Sequence, residues 1–91
     1  MEIKKDYNIG IMKIHARIND GLVVLHTNFP QVTKKIYETA KLSGRDVEWN
    51  ERLRICVERY PNLKAEEILK LIEQEIEKVK ADASKIKNDK L

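Results

Sequence analysis

The dipeptide Asp20-Gly21, set between "IMKIHARIN" and "LVVLHT", constrains this chain more than any other pair of residues. Inside a helix, Asn19-Asp20-Gly21 would cost about 1–2 kcal/mol relative to good helix formers. Between two strands, Asp-Gly is a favoured two-residue hairpin turn. With that turn, Ile18 faces Val23, Ala16 faces Leu25 and Ile14 faces Thr27, so one apolar face continues across both strands. Lys13, His15, Arg17 and His26 then lie on the opposite face.

The stretch Asp46–Tyr60 also divides by parity. Val47, Trp49, Leu53, Ile55 and Val57 fall on one side, and Glu48, Arg52, Arg54, Cys56 and Glu58 on the other. Two further segments read as helices. "PQVTKKIYETAKLS", from Pro30 to Ser43, carries a stripe of Val32, Ile36 and Ala40, with Asn28 as its expected cap, Gln31 as capping-box partner and Gly44 as its left-handed stop. From Asn62, the expected second cap, Ala65, Leu69, Ile72, Ile76, Val79, Ala83 and Ile86 recur at four-and-three spacing. A helix of about 25 residues is roughly 37 Å long, more than a small core needs to cover.

These readings give one α+β domain over residues 1–91, ordered ββαββα, with a four-stranded antiparallel sheet and two helices on one face. Residues 80–91 are expected to fray or project. "FPQV" and "YPNL" each precede a helix and follow an alternating segment, which suggests a hairpin–helix unit used twice. The competing reading is an all-α four-helix bundle. It would bury Ile11, Ile14, Ile18, Leu22, Leu25 and Phe29 on one helix, and Trp49, Leu53, Cys56 and Tyr60 on another. It leaves Ile9, Met12, Val23 and Ile55 off the stripes.

Charged residues make up 36% of the 91, yet the net charge is only +3, with +2 in the first fifty residues and +1 in the rest. No basic tail is present. A single cysteine, Cys56, excludes an internal disulfide framework and fits a reducing compartment. Met1 to Tyr7 is too polar for a signal peptide, and the longest apolar run, Leu22 to Leu25, is far short of a membrane span. A cytoplasmic location without a membrane partner is the expectation.

Catalytic patterns are missing. His15 and His26 have no Cys, Asp or Glu at ligand spacing. Cys56 lacks a partner histidine, and Ser43-Gly44 is a helix stop rather than a nucleophile elbow. Glu73 and Glu77 have no Glu-x-x-His to make a metal site, and three glycines build no phosphate loop. A non-enzyme without metal or cofactor is expected.

The surfaces are more informative. On a sheet, Lys13, His15, Arg17, His26, Arg52 and Arg54 share the face away from the helices, with Glu48 and Glu58 among them. Such a face suits nucleic-acid phosphates, although it lacks stacking aromatics. Lys34 and Lys35, near Lys41 and Arg45, form a second basic group on the middle helix. Leu22 and Val24 are aliphatics on the open face, which tends to be covered by a partner. Phe29, Tyr37, Ile76 and Val79 are the candidate interface residues of the helices.

The stretch "LVVLHTNFPQVTKKIYETA" resembles the small dimerising subunit of the KEOPS complex. There a strand runs into Phe-Pro and then a helix with an aliphatic–Tyr pair; Phe29, Pro30, Val32, Ile36 and Tyr37 match. A hairpin and a second helix follow in that family, as Asp46–Val57 and the last helix do here. The departures are a last helix reading "PNLKAEEILKL", without the family's opening Asp or its arginines, and an added strand over Met12–Ile18. The resemblance is that of a diverged paralogue. It implies a non-catalytic subunit of the machinery that makes threonylcarbamoyladenosine in tRNA. Such a subunit joins its own kind or a paralogue, binds the catalytic ATPase-like subunit and helps hold tRNA. Two other roles are consistent with the residues: a free-standing nucleic-acid-binding protein using the basic sheet face, and a helical regulatory protein that binds a partner through its long last helix.

Overall fold

The computed structural model describes the backbone of residues 2–89 and the side chains of residues 2–78. The chain forms β1 (Ile3–Ile9), β2 (Met12–Asn19), β3 (Leu22–Thr27), α1 (Pro30–Leu42), β4 (Val47–Asn50), β5 (Ile55–Arg59) and α2 (Ala65–Asp89). One antiparallel sheet runs in the order β1-β2-β3-β5-β4. Both helices pack on one face of it, α1 over β3, β5 and β4, and α2 over β2 and β3. The class is therefore α+β, and the segments that a four-helix bundle would need as helices are strands and turns.

The sheet has five strands rather than four. In β1, Ile3, Tyr7 and Ile9 sit opposite Ile18, Ile14 and Met12 and extend the apolar face. Lys5 interrupts that alternation, which hides the strand in a polar N-terminal sequence. In the second hairpin, Ile18–Val23, Ala16–Leu25 and Ile14–Thr27 pair as the Asp-Gly turn requires.

That turn has a second task. Gly21 is in the left-handed region at φ +79° and lies against the backbone of Tyr60 and Pro61. Its N–H donates to Leu63 O at 2.9 Å, and its carbonyl accepts from Tyr60 N–H at 2.8 Å. Asp20 Oδ1 accepts from Ala65 N–H at 2.9 Å. Glu67 Oε1 accepts from Lys64 N–H at 3.2 Å. Glu67, the third helical residue, thus makes one half of a capping box, and Asp20 satisfies a further free donor at the start of α2 from a hairpin 45 residues away. Asn62 is not the cap, and α2 begins two residues later than an Asn62 cap would start it. For the same reason the two Pro motifs are not equivalent: Pro30 is the first residue of α1, whereas Pro61 lies four residues before α2.

Asn28 does not cap α1 either. Its Oδ1 accepts from Lys13 N–H at 2.7 Å and its Nδ2 donates to Ile11 O at 3.0 Å, which ties the helix entry to the first hairpin. The buried hydroxyls of Thr27 and Thr33 stand 2.9 Å apart, and Phe29 N–H donates to Thr27 Oγ1 at 3.0 Å. At the other end, Gly44 (φ +80°) closes α1 as expected. Arg45 N–H reaches Ala40 O and Gly44 N–H reaches Lys41 O, the two bonds of a Schellman motif.

The core lies between sheet and helices and holds Ile14, Ala16, Ile18, Val23, Leu25 and Cys56 from the strands and Ala65, Ile68, Ile72 and Ile76 from α2. Ile68 takes the inward position and Leu69 the margin. Each fully buried aliphatic such as Ile18 or Ile68 contributes about 1.5–3 kcal/mol.

Replacing Asp20 by Ala is expected to destabilise the fold by about 1 kcal/mol, read as a lowered urea midpoint. Asn62→Ala should stay within about 0.5 kcal/mol of the parent. Equal effects of the two would show that α2 does not start on the hairpin.

Candidate docking and nucleic-acid surfaces

The face of the sheet away from the helices is open. Pairing fixes its layout: Val24 lies opposite Val57 and Leu22 opposite Arg59. Val57 in turn lies opposite Glu48, and Ile55 opposite Asn50. Leu22, Val24, Ile55 and Val57 are half-buried there and form an aliphatic centre over the seam of β3 and β5. Around them stand Lys13, His15, Arg17, Asp6 and Lys4 on the β1–β2 side, and Glu48 and Arg59, paired at 2.9 Å, on the other. Apolar centre and polar rim are the anatomy of a protein interface.

The expected basic face is only partly present. Lys13, Arg17 and the two histidines occupy it, with the His15 and His26 rings stacked at 5.8 Å and Asp6 Oδ1 2.7 Å from His15 Nδ1. Lys4, Asp6, His15, Arg17 and His26 line a depression of about 520 Å³, with Val24, Leu53 and Ile55 as its apolar side. Arg52 and Arg54 are not strand residues, so strand parity does not place them on this face. They belong to the turn of residues 51–54, where Arg54 adopts φ +55°.

The face assignment of β5 is inverted relative to the sequence expectation. Cys56 and Glu58 point to the helices, and Ile55 and Val57 point outward. The cause is the turn: Asn50 pairs with Ile55 across four intervening residues, so odd positions on β4 share a face with even positions on β5. Val47 and Trp49 therefore lie on the helix side, with Cys56 and Glu58.

Glu58 is a buried carboxylate, and its partners explain how it is tolerated. Tyr60 OH donates to Oε2 at 2.9 Å, and Arg45 lies 3.3 Å from Oε1 while its other nitrogen reaches Glu75 at 2.6 Å. Arg45 thus bridges the sheet to α2 from the loop after α1. A buried charge needs such pairing. No side-chain polar atom is left buried without a partner among the described residues.

On the helix layer, Lys34 and Lys35 are exposed on α1, across the sheet from Lys13 and Arg17. Tyr37 is half-buried against Trp49 with ring centroids 6.1 Å apart, and Lys41 Nζ lies 3.1 Å from its hydroxyl. Phe29 is half-buried at the entry of α1. Ile76 is in the core and is no surface residue. Val79, and the stretch 80–91 expected to project, lie outside the described side chains, although α2 itself runs to Asp89. Trp49, which parity in the sequence groups with the apolar residues of its stretch, lines a depression with Pro30, Gln31, Lys34, Glu51 and Arg54.

Among the described residues, no group of three His, Cys, Asp or Glu is placed to hold a metal ion, and no helix is long and apolar enough to cross a membrane. The Cys56 thiol is pushed up to about 11 by burial and, second, by the charge of Glu58. Burial and the hydrogen bond to Glu58 also push the Tyr60 phenol up. Between the ordinary thiol value of 9.0 and about 11, the folded chain keeps a proton that the unfolded chain has lost, so stability falls as pH rises. Stability by urea titration should decline from pH 9 to 11, and Cys56→Ala should make that decline shallower. An identical slope in the variant would remove the thiol as its source.

Comparisons of the chain with protein-family models, with curated proteins and with solved structures found no match.

Proposed function

We propose that this chain is a non-catalytic binding subunit whose open sheet face is covered by a second copy of itself or by a paralogue, within a KEOPS-like assembly that supports threonylcarbamoyladenosine formation in tRNA. The observation that carries the reading is the aliphatic centre of Leu22, Val24, Ile55 and Val57 on a face that no element among the described residues covers. An antiparallel sheet that faces water on one side ordinarily alternates to polar residues there. Here four of the six outward positions of β3 and β5 are aliphatic, and only His26 and Arg59 are polar.

The size of the face is adequate for such a role. Five strands about 4.8 Å apart and some 20 Å long give roughly 480 Å². Two facing copies would bury about 1,000 Å², the lower bound of a specific interface. The resemblance supplies the rest of the reading. β3 leads directly into Phe29-Pro30, with Pro30 as the first helical residue, and Val32, Ile36 and Tyr37 are half-buried along α1. β1 and β2 stand ahead of that strand as additions to the family order. In this role the catalytic ATPase-like subunit and tRNA are the remaining partners.

Sedimentation equilibrium of the purified chain, alone, should give a two-chain mass. Val24→Lys combined with Val57→Lys should give a single-chain mass with little change in thermal midpoint, because both side chains point outward. A parent chain that stays single at every concentration would rule out the second copy as the cover. In the source organism, deletion of the gene should lower threonylcarbamoyladenosine in total tRNA, measured by nucleoside mass spectrometry. An unchanged level would end the KEOPS reading whatever the oligomeric state.

A further inference from the structure

We infer that Trp49, Lys34 and Arg54 form a binding site for an unpaired nucleotide of a single-stranded nucleic acid, with the base stacked on the indole and the phosphates held by the two cations. Trp49 lies on the edge strand β4 and faces the helix layer. A tryptophan that only filled the core would be buried like Val23 or Leu25; Trp49 is half-buried, leans on Tyr37 at 6.1 Å and borders open space. That space is a depression of about 240 Å³, lined also by Lys34, Arg54, Gln31 and Glu51.

The chemistry of the lining fits a nucleotide. Among the described residues, neither Lys34 nor Arg54 has an ion-pair partner, so both charges are available to phosphate oxygens. Glu51 adds one negative charge, but its Oε2 accepts from the indole Nε1–H at 2.5 Å and so holds the ring plane. Aromatic platforms flanked by cations bind single strands with little sequence preference, because every base has a π-face. The first turn of α1, which contributes Pro30 and Gln31, contains no acidic residue.

The site lies on the opposite side of the sheet from the proposed docking face, so the two can fail separately. Trp49 is the only tryptophan, and its fluorescence reports directly on the site. Titration with a single-stranded oligouridylate should quench it saturably, and raising the salt should weaken the effect. A duplex of the same length and free UMP should quench far less. With a labelled oligouridylate followed by anisotropy, Trp49→Leu should weaken binding about tenfold, and so should Lys34→Ala combined with Arg54→Gly. Because Arg54→Gly relieves a left-handed backbone, that variant is expected to melt no lower than Lys34→Ala alone, which separates lost binding from lost folding. Lys13→Ala with Arg17→Ala should change binding less than twofold. The inference is overturned by absent quenching, by UMP or duplex binding as tightly as the single strand, or by loss of binding in the Lys13/Arg17 variant and not in the Lys34/Arg54 one.

Discussion

The contact between the Asp20-Gly21 turn and the segment entering α2 is the constraint on which the rest of the structure depends. Two backbone hydrogen bonds from Gly21 and one side-chain bond from Asp20 hold residues 60–65 beneath the β2–β3 hairpin. They set where β5 ends and where α2 begins, and hence which side of α2 meets the sheet. Ile68 and Ile72 enter the core as a consequence. A β-branched residue in place of Gly21 would be strained by the positive φ, and the same residue makes both backbone bonds to the segment entering α2, so turn geometry and helix docking are satisfied by one position.

The hairpins β2–β3 and β4–β5 meet along β3 and β5, which run antiparallel. Each is followed by a helix that packs over the other hairpin. Both helices therefore lie on the same side of β3, α1 over the seam with β5 and α2 over the neighbour β2, and among the described residues no element covers the other side. The open aliphatic centre is a product of this topology, and with it the proposed need for a second protein. Arg45 reinforces the arrangement by joining the buried Glu58 of β5 to Glu75 of α2. A hydrophobic replacement of such a cluster could be as stable.

Much of this was legible in local patterns. The register of β2 against β3 follows from a two-residue turn, because the side-chain period of a strand is two and the turn fixes the phase. The stop of α1 at Gly44 and the α2 stripe through Ala65, Ile72 and Ile76 follow from helix spacing and from the one residue type that enters the left-handed region freely. The facing of β5 is not legible in this way, because its phase depends on the number of residues in the 51–54 turn and nothing in "NERLR" signals that count. Neither Asn28 nor Asn62 caps a helix, because a nearby amide is only one source of an acceptor. The partners came instead from Thr27 and from Asp20, and the second of these is distant in sequence.

The sequence by itself favoured an α+β fold over a helical bundle and determined the apolar face of β2 and β3 with its register. Those properties rest on alternation, spacing and composition, all of which are local. Only the tertiary structure decided which cations share a surface. Arg52 and Arg54 were drawn to the sheet face with Arg17 by parity alone, yet Arg54 stands beside Lys34 and Trp49 on the helix side. The turn that carries it reverses the phase of the strand, and the packing of α1 over β4 brings Lys34 to meet it. Juxtaposition of residues 34, 49 and 54 is a result of long-range packing, which no window of the sequence contains.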